Sequence, residues 1–350
     1  MRLKVAIVQI DSLLGQPKQN ISKIQNLLTS KLSSFSSPNQ KNLDLIVLSE
    51  LAITGYNFKS STHIKPYLES VDQFGPSLNF GKQLSLKYNC FTIIGYPEIF
   101  NKIIYNSSAV FNRKGELIYN YRKSFLYETD EVWGCSENPN KNFEPIILNF
   151  ETNENNSQDN ESSKDSKSII TNIGICMDLN PYKFEAPFNK FEFSSKCYLN
   201  KSNLIICPMA WLSSSSPSIK KQEDEINPEL KSLSPEQYQN YLTKQAQNIT
   251  LSNEPNFETI NYWILRFFPF LNHPFSILPK WWSNQKKINI LICNRIGKES
   301  SIIYGGSSCI LQFNNSTVTN DSIDMNNPSV DVLNPLSQSE EGIIITEIDV

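Results

Sequence analysis

The sequence predicts an α/β fold with a largely buried sheet, and two features of its hydrophobic pattern lead to that prediction. Short apolar runs rich in β-branched residues recur along the chain, each with the length of a buried strand. Amphipathic helical segments lie between the early runs, as expected when strands alternate with helices. The predicted strands are residues 4–8, 43–48, 91–94, 108–111, 169–175, 204–207, 288–293, 308–313 and 342–348.

In two early segments the apolar residues are spaced as in a helix that buries one face. Residues 20–32 place apolar side chains at three- and four-residue intervals, and residues 78–88 do so less regularly. Residues 112–115 are predicted to form a turn between two strands, because Gly115 adopts the backbone conformations that tight turns require.

We interpret residues 1–350 as a single domain that carries three insertions. Residues 151–168 are almost wholly polar and cannot bury enough apolar surface to order themselves. Residues 213–285 form a longer insertion, polar first and aromatic later, and residues 314–339 are a further polar stretch. Three prolines and Arg266 interrupt the aromatic part, residues 263–282. This pattern disfavours a membrane-spanning helix and favours packing on the domain over contact with a membrane surface.

The composition argues against several classes of protein. The formal net charge is −3, without the basic excess that is typical of nucleic-acid binding. The seven cysteines include no C-x-x-C pair, which indicates free thiols in a reducing compartment rather than disulfides or a zinc site. Residues 1–10 have no features of a signal peptide or a presequence, and we interpret them as a strand. The expected location is the cytoplasm, with the mitochondrion left open as a second compartment.

The scarcity of histidine limits the chemistry that an enzyme of this sequence could use. The two histidines, His63 and His273, lie in segments that suit a catalytic base poorly, which disfavours Cys–His and Ser–His–Asp schemes. The sequence contains no phosphate-binding glycine motif and no cluster of metal ligands, so neither a cofactor nor a metal is expected. Carboxylate, lysine and thiol groups remain.

Those three groups each follow a predicted strand. Glu50 follows residues 43–48, Lys123 follows the strand that ends at Arg122, and Cys176 follows residues 169–175. Ligands in α/β proteins bind beyond strand ends, where side chains project into a crevice. Taken singly, a cysteine there is usually a small buried hydrophobe, and a lone Glu or Lys is usually a solvated charge. The three together favour a site.

Five stretches, in the same order as in the family, resemble the nitrilase superfamily of amide and nitrile hydrolases. This resemblance implies a four-layer α-β-β-α sandwich and places Glu50, Lys123 and Cys176 at the positions of a Glu-Lys-Cys triad. The stretches are VAIVQ (5–9), VLSELAITGY (47–56), YNSSAVFNRKGELIYNYRK (105–123), GICMDL (174–179) and NRIGKESSIIYGGSSCI (294–310).

The resemblance also implies roles for these residues. Glu50 would take the thiol proton, and the Cys176 sulfur would attack the carbonyl carbon. Lys123 and the backbone N–H of Met177 would stabilise the oxyanion. The superfamily often adds a second glutamate near the lysine, for which Glu131 is the nearest match and Glu128 the alternative.

Two longer stretches are similar to one branch of the superfamily, the fungal protein N-terminal amidases. They are RKSFLYETDEVWGCSENP (122–139) and GICMDLNPYKFEAPF (174–188), and the insertion around NYWILRFFPFL also fits this branch. The resemblance implies deamidation of N-terminal Asn and Gln of proteins or peptides to Asp and Glu, as a step in the N-degron pathway. The alternatives are a small-molecule amidase or nitrilase, and a non-catalytic scaffold.

A substrate of that kind has a free α-ammonium, which requires a carboxylate in a mostly dry pocket. Asp178 and Glu185 follow the nucleophile closely and are the candidates, while Trp133 and Trp211 are candidate pocket walls. Each has another interpretation. Asp178 equally suits a helix cap or turn, Glu185 a solvated position, and the tryptophans the core.

Overall fold

Two six-stranded sheets contain most of the strands in the computed structural model. It describes residues 1–33, 43–151, 166–219, 228–274, 276, 278–282, 286–317 and 322–350. The first sheet has the order β14-β1-β2-β3-β4-β5 and the second the order β13-β12-β9-β8-β7-β6, while β10 and β11 form a separate pair. The strands are β1 (Arg2–Gln9), β2 (Leu45–Leu48), β3 (Phe91–Phe100), β4 (Ile103–Phe111), β5 (Leu117–Arg122), β6 (Ile146–Glu151), β7 (Ser166–Ile173), β8 (Leu204–Pro208), β9 (Ile288–Cys293), β10 (Ile296–Glu299), β11 (Ile302–Gly305), β12 (Cys309–Phe313), β13 (Val330–Leu333) and β14 (Gly342–Asp349).

The centre of each sheet is parallel and its margins are antiparallel. The strands β1, β2 and β3 run parallel in the first sheet, as do β7, β8 and β9 in the second. Parallel strands are normally covered on both faces, which explains why these segments are continuous apolar runs rather than alternating ones. Each of the nine predicted strands lies within or overlaps an observed one.

Helices cover the outer face of each sheet. Side chains of α1 and α3 pack on the first sheet in one buried cluster, while α5 and α8 join the cluster that contains the second sheet. The α-β-β-α sandwich implied by the family resemblance is therefore confirmed. The helices are α1 (Pro17–Ser33), α2 (Ser61–Ile64), α3 (Pro76–Tyr88), α4 (Glu128–Val132), α5 (Glu192–Leu199), α6 (Pro228–Lys231), α7 (Pro235–Asn248) and α8 (Phe257–Arg266).

The core between the sheets combines side chains from both. Alternation along β1 directs Val5 and Ile7 toward the second sheet and Ala6 toward the helices. The Cys293 thiol donates to the Val8 and Val47 carbonyl oxygens at 3.3 and 3.4 Å, so the two sheets are in direct contact at the end of β9.

The predicted insertions contain more structure than the sequence indicated. The long insertion, residues 213–285, contains α6, α7 and α8, and the polar stretch 314–339 contains β13, which pairs with β12. The pattern of β13 is too short and too polar to be recognised without its partner strand. Most of the 151–168 segment lies outside the described residues.

The aromatic part of the long insertion packs on the domain, as predicted. Trp263, Phe267 and Phe270 are fully buried in the cluster that includes the second sheet. Among the helices of the described residues, none has both the length and the apolar character needed to cross a membrane.

We expect Leu291→Ala to lower the free energy of unfolding by about 2–5 kcal/mol, because it leaves a cavity between the sheets. Leu291 is fully buried on β9, two residues before Cys293 and on the same face. Urea denaturation measures the change. Ile147→Ala, on strand β6 of the same sheet with Ile147 58% exposed, is the control and should change stability by less than about 0.5 kcal/mol. Equal losses in the two variants would contradict this assignment of the core.

Candidate active site

The three candidate catalytic residues come from the ends of three strands. Glu50 follows β2 and Lys123 follows β5 in the first sheet, whereas Cys176 follows β7 in the second. Packing of the two sheets brings these ends together. The Lys123 Nζ lies 2.8 Å from Glu50 Oε1, and both side chains are buried.

Lys123 has a second acidic partner, and it is Asp130. The Lys123 Nζ lies 2.7 Å from Asp130 Oδ2, which also accepts a hydrogen bond from the Tyr127 N–H at 2.9 Å. The prediction that Glu131 or Glu128 fills this position is wrong, because both side chains are exposed. On the short helix α4, successive side chains point about 100° apart, and Asp130 is the acid that faces inward.

Asn106, on β4, connects the two carboxylates and was missed by the sequence analysis. Its Nδ2 donates to Glu50 Oε1 at 2.7 Å and to Asp130 Oδ1 at 2.9 Å. The amide therefore holds two groups of like charge on either side of the lysine. A polar residue within an otherwise apolar strand, in the stretch YNSS, is the signal that could have indicated it.

The backbone at Cys176 is strained in a way that suits an exposed nucleophile. Its φ is +43°, a left-handed conformation that costs a non-glycine residue about 1 kcal/mol or more. The turn begins at Gly174, where a Cβ would lie 2.4 Å from the Phe193 ring. Cys176 is half-buried and lines a cavity, whereas the other six cysteines are buried.

The electrostatics of the cluster keep the thiol protonated until a base removes its proton. Burial raises the pKa of Cys176 well above its ordinary value, and the Glu50 charge raises it further while Lys123 opposes both. Burial also raises the pKa of Glu50, with Lys123 lowering it and Asp130 raising it. Glu50 is thus a stronger base than an ordinary carboxylate.

Lys123 remains an ammonium group in this site. Burial by itself lowers the pKa of Lys123, but the charges of Asp130 and Glu50 raise it well above the ordinary value. A permanent positive charge held rigidly in a dry site is the group that a developing oxyanion needs.

A cavity of about 760 Å³ opens in front of Cys176. That volume is typical of a ligand pocket. Met177 and Trp211, both predicted to bind substrate, line it, and the Trp211 ring packs 5.7 Å from the Tyr262 ring. The lining consists of Tyr56, Tyr127, Glu128, Cys176, Met177, Asn180, Phe184, Ala210, Trp211, Leu212, Ser214, Ser218, Ile219, Glu258, Thr259 and Tyr262.

Three other predicted substrate-binding residues do not reach this cavity. Asp178 is fully buried and points away from it, with its carboxylate bonded to backbone N–H groups. Glu185 is exposed to solvent outside the lining. Trp133 is fully buried in a cluster that also contains Phe58, and it is not among the residues that line the cavity. Proximity in sequence to the nucleophile or the lysine does not determine where these side chains point.

The long insertion builds one wall of the cavity, a role that the sequence did not indicate. Helix α8 contributes Glu258 and Tyr262 to the lining, and the Tyr262 hydroxyl donates to Asn180 Oδ1 at 2.6 Å. The buried Arg266 guanidinium donates to the carbonyl oxygens of Leu179 at 2.7 Å and Phe188 at 2.6 Å. The insertion is therefore bound to the segment that follows the nucleophile.

This arrangement has the groups that acyl transfer through a thioester requires. It contains a thiol at the cavity surface, a carboxylate of raised basicity and a fixed ammonium. The Ala210 N–H donates to Glu50 Oε2 at 2.8 Å and also lowers the pKa of Cys176, so it connects the base to the nucleophile. Across the described residues, no group of three or more His, Cys, Asp and Glu side chains is arranged to hold a metal ion.

Comparison with known proteins agrees with this site. A sequence profile of the carbon–nitrogen hydrolase family matches residues 4–152. The protein N-terminal amidase of Saccharomyces cerevisiae is 36% identical over 322 residues, which cover 83% of this chain and 68% of that protein. The protein N-terminal amidase of Schizosaccharomyces pombe is 30% identical over 363 aligned positions, which cover 99% and 100% of the two chains.

Solved structures give the same result. The crystal structure of an N-terminal amidase with an Asn-Glu-Ala peptide is 31% identical to this chain, with a TM-score of 0.80. The match covers 99% of this chain and 97% of that one. The crystal structure of an N-terminal amidase with a Gln-Gly peptide has a TM-score of 0.79 at the same sequence identity. The fold and the site thus define a hydrolase of carbon–nitrogen bonds. The chain belongs to the carbon–nitrogen hydrolase family and, within it, to the branch of the protein N-terminal amidases.

We expect Asp130→Asn to move the acidic limb of the kcat/KM profile to lower pH. The ionised form of Glu50 is the active base, so the rate falls as pH falls through its pKa. The Asp130 charge raises that pKa, so its removal lowers it. The weaker base should also reduce the maximal rate, by about tenfold or more. A pH–rate profile from pH 4 to 9 measures both effects.

Glu131→Gln is the matched control for this variant. It removes an exposed carboxylate from the adjacent position of the same helix and should leave the profile unchanged. A shifted limb in Glu131→Gln with an unshifted limb in Asp130→Asn would contradict the assignment of Asp130.

Proposed function

We propose that this protein hydrolyses the side-chain amide of Asn or Gln at the N-terminus of proteins or peptides. The products are N-terminal Asp or Glu and ammonia, and the reaction provides the deamidation step of an N-degron pathway. The observation that carries the proposal is the buried cluster of Glu50, Lys123 and Asp130 beside the Cys176 turn. This cluster lies in a chain that aligns along its length with a protein N-terminal amidase.

The first half of the reaction forms a thioester. Glu50 takes the thiol proton as the Cys176 sulfur bonds to the amide carbon, and the carbonyl oxygen becomes an oxyanion. The Lys123 ammonium and the Met177 N–H stabilise that charge. When the tetrahedral intermediate collapses, the carbon–nitrogen bond breaks and Glu50 returns its proton to the departing nitrogen, which leaves as ammonia.

The second half consumes one water molecule. Glu50 removes a proton from this water as its oxygen attacks the thioester carbon, and the same oxyanion site stabilises the second intermediate. The carbon–sulfur bond then breaks, the sulfur regains the proton that Glu50 took from the water, and the new carboxylic acid is released. The Cys176 thiol and the Glu50 carboxylate return to their starting states, so one amide and one water give one acid and one ammonia.

The α-ammonium of the substrate requires an acidic partner in the cavity, and two acidic residues belong to the cavity lining. Glu128, on α4, and Glu258, on α8, belong to the lining. They replace Asp178 and Glu185 as the candidates, because a carboxylate must face the cavity to bind substrate. Glu258 belongs to the insertion, so the wall that this insertion builds would contribute to selecting free N-termini.

The cytoplasm remains the proposed location. The proposal is supported by the seven cysteines, which occur in an odd number and without C-x-x-C pairs, as is typical of a reducing compartment.

We expect ammonia release from peptides that begin with Asn or Gln and at least about 100-fold slower release after N-acetylation, because acetylation removes the ammonium charge. A coupled ammonia assay on matched free and acetylated peptides measures the ratio. Cys176→Ala is the control and should lose about 10⁴-fold or more of the rate. Equal rates on free and acetylated peptides would indicate a small-molecule amidase instead. Absence of turnover and of any covalent adduct in the wild-type protein would indicate a scaffold.

We expect Glu258→Gln to raise KM for free-amine peptides by about tenfold and to change kcat little, because the ammonium is bound equally in the ground and transition states. Steady-state kinetics on a peptide with N-terminal Asn measure KM and kcat separately. Glu254→Gln, an exposed acid in the segment before α8, is the control. An unchanged KM in Glu258→Gln would leave Glu128 as the ammonium partner, and the same measurement on Glu128→Gln tests it.

A further inference from the structure

The Asp178 carboxylate binds the backbone directly after the catalytic lysine. Its Oδ1 accepts hydrogen bonds from the Ser124 N–H at 3.0 Å and from the Phe125 N–H at 2.8 Å. These are the two residues that follow Lys123. Hydrogen bonds to an ionised acceptor are stronger than those to a neutral acceptor. Asp178, Ser124 and Phe125 are all buried.

The other oxygen of the same carboxylate binds the nucleophile turn. Oδ2 accepts from the Ile175 N–H at 2.8 Å, and Ile175 is the residue that precedes Cys176. Oδ2 also accepts from the hydroxyl of Tyr121 at 2.8 Å, and Tyr121 lies two residues before Lys123. One buried side chain therefore contacts the chain beside both catalytic residues.

We infer that Asp178 is a positioning residue that sets the Lys123 ammonium and the Cys176 sulfur at the separation the reaction needs. The inference rests on the proposed function, in which these two groups act on one carbonyl. Lys123 follows β5 and Cys176 follows β7, and these strands belong to separate sheets. No β-ladder between described strands fixes one segment relative to the other, and the Asp178 carboxylate supplies a direct hydrogen-bonded connection between them.

The ionised form of the Asp178 side chain is the one that can accept all four of these hydrogen bonds. The four donors require four acceptor positions, which a carboxylate has and an amide or a carboxylic acid does not. Burial raises the pKa of Asp178 to about 6, with its hydrogen bonds opposing the shift, so the carboxylate is ionised at neutral pH. An Asn at this position would direct an NH₂ group at a backbone N–H and force the two segments apart.

The test compares Asp178→Asn with Glu69→Gln. Glu69 is also a buried carboxylate that accepts from two backbone N–H groups, Ser77 at 2.7 Å and Leu78 at 3.0 Å, but it lies outside the cavity lining. Both variants should lose stability, measured by urea denaturation. Only Asp178→Asn should lose kcat on an Asn peptide, by about 10²-fold with KM changed less than about threefold, because misplacement of reacting groups lowers the rate of the chemical step.

A second measurement needs no substrate. Iodoacetamide should alkylate Cys176 selectively, because the other six cysteines are buried. We expect the alkylation rate at Cys176 to fall by about tenfold in Asp178→Asn and to stay unchanged in Glu69→Gln, since thiolate formation depends on the position of Lys123. If wild type releases no ammonia from any N-terminal Asn or Gln peptide, the proposed function fails, while the alkylation rates still decide the role of Asp178.

Equal kcat and equal alkylation rates in Asp178→Asn and wild type would overturn the inference. If Asp178→Asn does not fold, Tyr121→Phe replaces it, because this variant removes one donor to the same carboxylate and keeps the ring. It should lower kcat and the alkylation rate by about threefold or more. Rates unchanged from wild type in Tyr121→Phe would then overturn the inference.

Discussion

A lysine ammonium buried between two carboxylates is the interaction on which this site depends. Burial of a charge is costly unless the charge is paired, and Lys123 has Glu50 and Asp130 within hydrogen-bond distance. Two carboxylates and one ammonium leave a net negative charge, which the Asn106 amide and the Ala210 N–H help to stabilise. Burial raises the pKa of Glu50, and the Asp130 charge raises it further while Lys123 lowers it, so the same buried cluster also produces the base.

The site exists because two sheets pack face to face. Glu50 and Lys123 follow strands of the first sheet, whereas Cys176 follows a strand of the second, so neither sheet contains the site alone. Contacts between the sheets fix the positions of these strand ends relative to one another. One such contact is the pair of hydrogen bonds from the Cys293 thiol to two carbonyl oxygens of the first sheet. Asp178 adds a connection at the site itself. A shift of one sheet against the other would therefore separate the nucleophile from its base.

The long insertion adds a wall to the pocket around the catalytic residues that the superfamily shares. Superfamily chemistry needs only the acid, the lysine and the thiol, whereas recognition of a free N-terminus needs walls and a further charge. Helix α8 contributes Glu258 and Tyr262 to the cavity, and Arg266 ties it to the segment after the nucleophile. The aromatic residues of the insertion pack against the second sheet, as the sequence predicted. This explains how an insertion with an unusual composition can belong to the binding site.

The sequence by itself determined the fold class and the positions of Glu50, Lys123 and Cys176, because periodic apolar runs and motifs at strand ends are local signals. It did not determine which acid accompanies the lysine, since Glu128, Asp130 and Glu131 share one short helix and differ only in the direction they face. It also did not reveal that Asn106 joins two carboxylates, or that Asp178 points at the backbone rather than at substrate. Only the tertiary structure decided these points, because each depends on partners that are distant in the chain.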